Sequence, residues 1–362
     1  MKKTPEDGAR ALLNRIEETA FFAHYSLLGD GNVRPYDWEK FATRLTGIEK
    51  DLWNFLLLGQ SVTKAEAARF LGQPALDFLL RHKLCAVSGG KLALDGFCLV
   101  RYQGMTFFIK RGPLTWSFIG DEIKSLLAFV PRLASGRCLS LYTSGGVEVL
   151  PLARSQVQIN FADMKAEQKN VLRANLELNA LEEGGKAWEF SRNGSGSYDL
   201  IVSNPPYLFQ PPGVRMHKYA AGGPDGLKCV RKFLEAASTE LKPGGAAITT
   251  FAFYSVPDSK GMEERLRAVL NPYGLNYVVA VSSRLMMEPG VPMFNQLLAA
   301  VSTVPKPPEL EGVARKLMDY AREKELTAVH LLKARFWKPG SGGPREQLIT
   351  NYSDSYYGTW TI

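Results

Sequence analysis

The stretch YDLIVSNPPYLF, residues 198 to 209, constrains the fold of this chain more than any other. A run of aliphatic and β-branched residues enters Asn204-Pro205-Pro206-Tyr207 without a transition. Ile201 and Val202 suit a strand covered on both faces, as strands of parallel sheets are. Two consecutive prolines have no backbone donors and cannot continue a ladder. The spacing therefore predicts a strand that stops near Ser203 and a stiff, exposed loop over residues 204–207. Open α/β sheets place ligands at the carboxyl ends of their parallel strands, which makes this loop the first candidate for a functional site.

The surrounding pattern agrees with such a sheet. From about residue 106, β-rich segments at 137–142, 156–162, 186–191, 198–203 and 245–252 alternate with helical segments near 121–134, 146–154, 164–180 and 224–241. Alternation of this kind predicts an α/β fold, a Rossmann-like, doubly wound and largely parallel sheet. After LKPGG at 241–245, the segments near 276–283 and 294–304 read as two more strands forming an antiparallel edge hairpin. TVPKPPE at 303–309 reads as a linker into a C-terminal appendage with a helix near 309–324. The aromatic tail NYSDSYYGTWTI is too apolar to be left free and is expected to pack on the body. The predicted domains are thus 1–105, 106–305 and 306–362.

The first of these is mostly helical. Residues 5–29 and 35–47 read as helices separated by GDGNVRPYD, with Leu12, Leu13 and Ile16 at helical spacing. Leu52 to Leu58 form a further helix closed by Gly59, and Thr63 with Glu66 fits a capping box that opens the next one. A third helix from about Pro74 to His82 leads into two short strands around SGG. Three helices followed by a β-ribbon is the outline of a winged-helix domain. Its third helix, PALDFLLRHK, is mostly apolar, which suits packing, dimerisation or a lid better than reading base edges.

The chain carries 44 Lys+Arg against 36 Asp+Glu, a formal charge of +8. An anionic partner and a plain basic solvated surface both fit, because no block of lysine or arginine stands out. The four cysteines and four histidines are scattered, which reads as buried thiols and no metal site. No run reaches the ~18 apolar residues of a membrane span, and no apolar stretch follows the first lysines. No membrane association and a cytoplasmic location are the expectations.

A second motif makes the reading more specific. AAGGPDGLKCVRKFLEAASTELKPGG, residues 220–245, follows the Asn-Pro-Pro-Tyr loop. Together the two resemble the class I S-adenosylmethionine-dependent methyltransferases, in the branch that methylates planar amine or amide nitrogens, including protein-glutamine and amino-nucleobase enzymes. The resemblance covers about residues 106–304 and implies S-adenosylmethionine as cofactor. It further implies that the Asn204 side-chain oxygen and the Pro205 carbonyl accept hydrogen bonds from the target NH₂, with Tyr207 offering a ring face. For Asn204 alone, the alternative is a turn residue opening a Pro-Pro loop.

The family's cofactor loop reads Asp-Leu-Gly-x-Gly-x-Gly, whereas this chain has SLYTSGG at 140–146. The register is checked by the acid that ends the family's second strand about seventeen positions past the last glycine: here 163 − 146 = 17 places Asp163 there. The helix RANLELNAL also falls into the family's N-x-x-x-N phase. Ser140 thus replaces the acid, Tyr142 the first glycine and Ser144 the second. The resemblance assigns the cofactor to Ser140, Tyr142, Thr143, Ser144, Gly146, Asp163, Met164, Asn193 and Asn204. Asp163 would accept the ribose hydroxyls or else cap a helix; Met164 would pack on adenine or simply be core; Asn193 would accept the adenine amine. Phe118, Gly120 and Asp121 would close one side, and Trp116 with Tyr142 would form an aromatic wall, unless Trp116 is core.

The function implied is methyl transfer to nitrogen of a small-molecule or amino-acid-like acceptor, with RNA or protein-glutamine as rivals. The altered loop also leaves open a cofactor consumed by attack of its own amino group on its side chain, and a non-catalytic winged-helix module. Oligomeric state is not legible.

Overall fold

A computed structural model of the chain describes all residues except 1–5, 28–34, 112–120, 132, 134, 144, 155, 163–165, 182–187, 192–197, 341–344 and 354–362. The N-terminal part opens with α1 (Glu6–Glu17), α2 (Phe21–Leu27) and α3 (Pro35–Ala42). The single helix expected over 5–29 is broken at Thr19, whose hydroxyl donates to the Ile16 carbonyl at 2.7 Å and accepts from Phe21 N at 3.3 Å. A threonine that bonds its own backbone competes with helix propagation.

Next come α4 (Gly47–Leu56), β1 (Val62–Thr63), α5 (Lys64–Leu71), α6 (Gln73–Arg81), β2 (Cys85–Ser88) and β3 (Lys91–Leu94), with the three strands in the order β1-β3-β2. The capping box is present: Thr63 Oγ1 accepts from Glu66 N at 3.2 Å, and the Glu66 carboxylate accepts from Thr63 N at 2.7 Å. The strands β4 (Phe97–Tyr102) and β5 (Met105–Lys110) then form a hairpin. Its two turn residues, Gln103 and Gly104, both have positive φ, 49° and 72°, as the tightest hairpin turns require. The division expected between residues 105 and 106 therefore falls inside a strand.

The remainder contains α7 (Asp121–Phe129), β6 (Ser135–Leu141), β7 (Gln156–Ala162), α8 (Ala166–Leu178), β8 (Trp188–Ser191), β9 (Tyr198–Ser203), α9 (Lys228–Glu240) and β10 (Leu241–Ser255). It continues with α10 (Ser259–Leu270), β11 (Asn276–Met286), α11 (Pro292–Ser302), α12 (Leu310–Glu323), β12 (Ala328–Trp337) and β13 (Glu346–Ser353). The eight strands form one sheet in the order β13-β11-β12-β10-β9-β6-β7-β8. β6 to β10 pair in parallel, while β12 runs antiparallel to both β10 and β11. This is a Rossmann-like mixed sheet, and the strand order reverses between β6 and β9.

Three expectations are corrected. The hairpin proposed from 276–283 and 294–304 does not form, because Pro292–Ser302 is helical and buries Met293, Phe294, Leu297, Ala300 and Val301 on one face. That apolar set fits the helical period as well as a strand, and Pro292 suits a first helical turn. The antiparallel partner of β11 is instead β12. Consequently the segment after residue 305 is no appendage: its strand is inserted between β10 and β11. Finally, the helical segment expected over 146–154 is shorter, a turn followed by a 3-10 helix at Leu150–Arg154.

Candidate functional site

The site is built where the sheet reverses. Ser203, the last residue of β9, pairs with Leu141 at the end of β6 and with Thr249 of β10. Asn204 therefore leaves the sheet between Tyr142 on one side and Thr250 on the other. The Thr250 hydroxyl donates to Asn204 Oδ1 at 3.3 Å, which fixes the amide. Pro205 is buried, and Asn204, Pro206 and Tyr207 are half-buried, so the loop is less exposed than its prolines imply.

The second motif accounts for that burial. Leu208 N donates to the Ala220 carbonyl at 2.9 Å, Gly222 N to the Leu208 carbonyl at 2.7 Å, and Gln210 N to the Gly223 carbonyl at 2.8 Å. Gly226 has φ +80°, and a Cβ there would lie 2.4 Å from the Tyr207 carbonyl oxygen; one on Gly222 would lie 2.8 Å from the Tyr207 carbonyl carbon. Only glycine permits both the left-handed conformation and this approach. Asp225 secures the turn by accepting from Leu227 N at 3.0 Å and pairing with Arg231. Burial alone would raise the Asp225 carboxyl, but the hydrogen bonds from Arg231 and the Leu227 amide outweigh it and hold its pKa low.

Across the reversal point lies the 140–146 loop. Tyr142 occupies φ +58°, and Gly145 and Gly146 are both at φ +88°. The tyrosine thus adopts the left-handed conformation that a glycine would take, at a cost of about 1–2 kcal/mol for an L-residue. Ser140, buried, shares a short hydrogen bond with Thr143, also buried. Ser140 Oγ also lies 3.4 Å from Oε1 of Glu148, which is 1% exposed. An acid thus lies beside Ser140, eight residues further along the chain. Its charge is felt below the loop: burial first, then Glu148, pushes the Cys138 thiol far up.

The structure thus brings Ser140, Tyr142, Thr143, Gly146, Asn204, Pro205 and Tyr207 to adjacent strand ends. Ser144, Asp163, Met164, Asn193, Trp116, Phe118 and Gly120 lie outside the described residues, as does the side chain of Asp121. Sequence reasoning missed Thr250, Glu148 and the packing role of Gly226. Glu148 had a signal, since a lone acid in the apolar run VEVLPL is out of place unless it has a task. Thr250 had none, because its partner is 46 residues away.

The C-terminal end of α6 faces this body. Arg81 Nη2 lies 2.6 Å from Glu177 Oε2 on α8, and His82 Nε2 lies 3.0 Å from Glu177 Oε1. Among the described residues no helix is long and apolar enough to cross a membrane.

A Rossmann-like sheet whose central parallel strands present a glycine-type loop and an Asn-Pro-Pro-Tyr loop side by side defines a class of protein, and the comparisons agree with it. Over part of its length the chain is similar in sequence to methyltransferases. The release factor glutamine methyltransferase of Synechocystis sp. is 30% identical over 134 residues, covering 33% of this chain and 45% of that protein. That of Caulobacter vibrioides is 43% identical over 84 residues, 20% of this chain and 28% of that protein. Ribosomal RNA small subunit methyltransferase C of Chromohalobacter salexigens is 28% identical over 196 residues, 52% of this chain and 55% of that protein. The chain therefore spans about half the length of these curated relatives or less. No family model matches. Among solved structures, M. jannaschii TYW2 in complex with AdoMet is similar at 13% identity and a TM-score of 0.37, over 68% of this chain and 90% of that chain.

Proposed function

We propose that this protein transfers a methyl group from S-adenosylmethionine to a planar nitrogen, an amide or amino NH₂, held at Asn204 and Pro205. The observation that carries the reading is the Asn204 amide fixed by Thr250 at the end of β9, directly beside the loop that ends β6. The residues present fit the cofactor: the 140–146 loop keeps left-handed turns at Tyr142, Gly145 and Gly146, and the buried Glu148 carboxyl lies beside Ser140 at the base of that loop. Bound there, the cofactor supplies an electrophilic methyl on a cationic sulfur.

The chain's own residues then activate the nucleophile. An amide or aromatic amine is a poor nucleophile because its lone pair is delocalised. Asn204 Oδ1 has two lone pairs; Thr250 uses one and the other accepts from the target N–H. The Pro205 carbonyl accepts from the second N–H. Together they draw density onto nitrogen and orient its lone pair, and orientation carries much of such a barrier. Tyr207 supplies a ring face for a flat group, and Pro205 and Pro206 leave little loop entropy to be lost on binding.

The acceptor we favour on the divergence of the 140–146 loop is a small molecule or amino-acid-like amide. The named relatives bring a release-factor glutamine and ribosomal RNA as equally fitting acceptors. A second reading is favoured by Tyr142, whose bulk stands where the family has glycine: the loop would hold the cofactor with its amino group against its own side-chain carbon, so that ring closure would break the carbon–sulfur bond and release methylthioadenosine. Calorimetry with S-adenosylmethionine, followed by mass spectrometry of the spent cofactor, tests these together. S-Adenosylhomocysteine supports methyl transfer, methylthioadenosine supports internal attack, and no binding refutes both. Asn204→Ala is expected to cut turnover by about 10²-fold or more with cofactor affinity nearly intact; equal loss of both would make Asn204 structural. The order helix, strand, helix, helix, strand, strand, with sheet order β1-β3-β2, supports a winged-helix arrangement for residues 47–94. A cytoplasmic setting is part of the same proposal.

A further inference from the structure

Two asparagines on α8 dock the β4–β5 hairpin by imitating a strand. Asn175 Oδ1 accepts from Phe108 N at 2.7 Å while its Nδ2 donates to the Phe108 carbonyl at 3.1 Å. Asn179 does the same to Thr106, accepting from its N at 3.0 Å and donating to its carbonyl at 2.7 Å. The match is geometric. Four residues of helix rise about 6 Å, close to the roughly 6.7 Å spanned by two strand residues, so amides at i and i+4 meet alternate residues of one strand edge. The outer edge of β5 is thereby covered.

Only one of the two reaches further. Asn175, fully buried, also donates from Nδ2 to the Gly145 carbonyl at 2.8 Å. Asn179 Nδ2 has its additional contact with the Asn175 carbonyl at 2.7 Å, inside the helix. A trans peptide is planar with C=O and N–H on opposite sides, so holding the Gly145 carbonyl toward α8 turns the Gly146 N–H the other way. The Gly146 carbonyl is already committed to the following turn through Val149 N at 3.0 Å and Leu150 N at 2.8 Å.

Resting on the methyltransferase reading, we infer that Asn175 is a positioning residue of the cofactor site: it orients the Gly145–Gly146 peptide for an anionic group of the ligand, using the N-terminal hairpin as its fixed support. The cofactor loop and the first domain are then one mechanical unit, and the N-terminal part contributes to cofactor binding without touching the cofactor.

The adjacent Asn179 is the control, since it makes equivalent hairpin contacts but none to the loop. Asn175→Ala and Asn179→Ala are compared in the full chain by calorimetry with S-adenosylmethionine, and by hydrogen exchange over residues 140–150. Both variants should lower the melting temperature. Asn175→Ala should weaken cofactor binding about tenfold and accelerate exchange at Gly145 and Gly146, whereas Asn179→Ala should stay within about twofold of wild type on both. Should Asn175→Ala fail to fold, Asn175→Asp keeps the volume and the acceptor for Phe108 N but has no donor for Gly145. Equal effects of the two positions on exchange at Gly145–Gly146, or no effect of either, overturn the inference. Failure of the wild type to bind the cofactor refutes the methyltransferase reading instead, and the exchange comparison still decides the role of Asn175.

Discussion

At the scale of single residues, the site depends on groups held in conformations or orientations they would not choose alone. Tyr142 at φ +58° inverts the usual order of substitutions. Alanine is ordinarily a smaller perturbation than glycine, but in the left-handed region it retains the steric cost while glycine has none. Tyr142→Gly should therefore be more stable than Tyr142→Ala by about 1 kcal/mol in urea unfolding, and the reverse order would mean that the turn relaxes. Thr250 orients the Asn204 amide through one hydroxyl. Thr250→Val keeps the shape and removes the donor, so turnover should fall about tenfold while the cofactor dissociation constant stays within about twofold. Unchanged turnover would show that the Asn204 amide is oriented by other contacts.

At the scale of elements, β12 lies in the segment expected to be an appendage, yet it is an inner strand of the sheet. Leu332, Ala334 and Phe336 face one hydrophobic cluster and Val329 faces another, so both faces of this inner strand are covered. His330 is buried with them, its Nε2 3.1 Å from the Val256 carbonyl oxygen. Burial pushes its pKa down from 6.5 to about 4, against the smaller upward effect of the Val256 carbonyl. A histidine kept neutral in the folded state contributes stability above pH 6.5. That contribution is lost as pH falls toward 4, where the unfolded chain takes up the proton first. The expected loss across this window is about 2–3 kcal/mol, less whatever other groups titrate there, and His330→Gln should flatten it in denaturant titrations at pH 7 and pH 4.5.

At the scale of the whole molecule, the three expected units are less separable than their sequences imply. One hydrophobic cluster runs from Leu12, Ile16 and Trp53 through Phe107 and Phe108 to Ile159, Leu172 and Val202, joining the N-terminal helices to the sheet. The Arg81–Glu177 ion pair and the contact of His82 Nε2 with the same carboxylate lie on the same seam. At the other end, β12 fills a slot between β10 and β11. A chain ending at residue 305 would leave two long strand edges and the surface beneath them uncovered. It should therefore show no cooperative thermal transition, whereas a stable, cofactor-binding fragment 1–305 would contradict the assigned sheet order.

Much of this protein follows from local sequence. The termination of β9 at two prolines, the capping box at Thr63 and Glu66, and the alternation of β6 to β10 with their helices depend on offsets of a few residues. Those offsets act wherever the segment lies. The place of β12, the helical state of Pro292–Ser302 and the contacts of Glu148, Thr250 and Asn175 were decided by tertiary structure. An apolar segment is compatible with helix or strand until its neighbours select which face is buried. A buried carboxylate, hydroxyl or amide acquires its role only when long-range strand pairing and helix packing bring a partner within hydrogen-bonding reach.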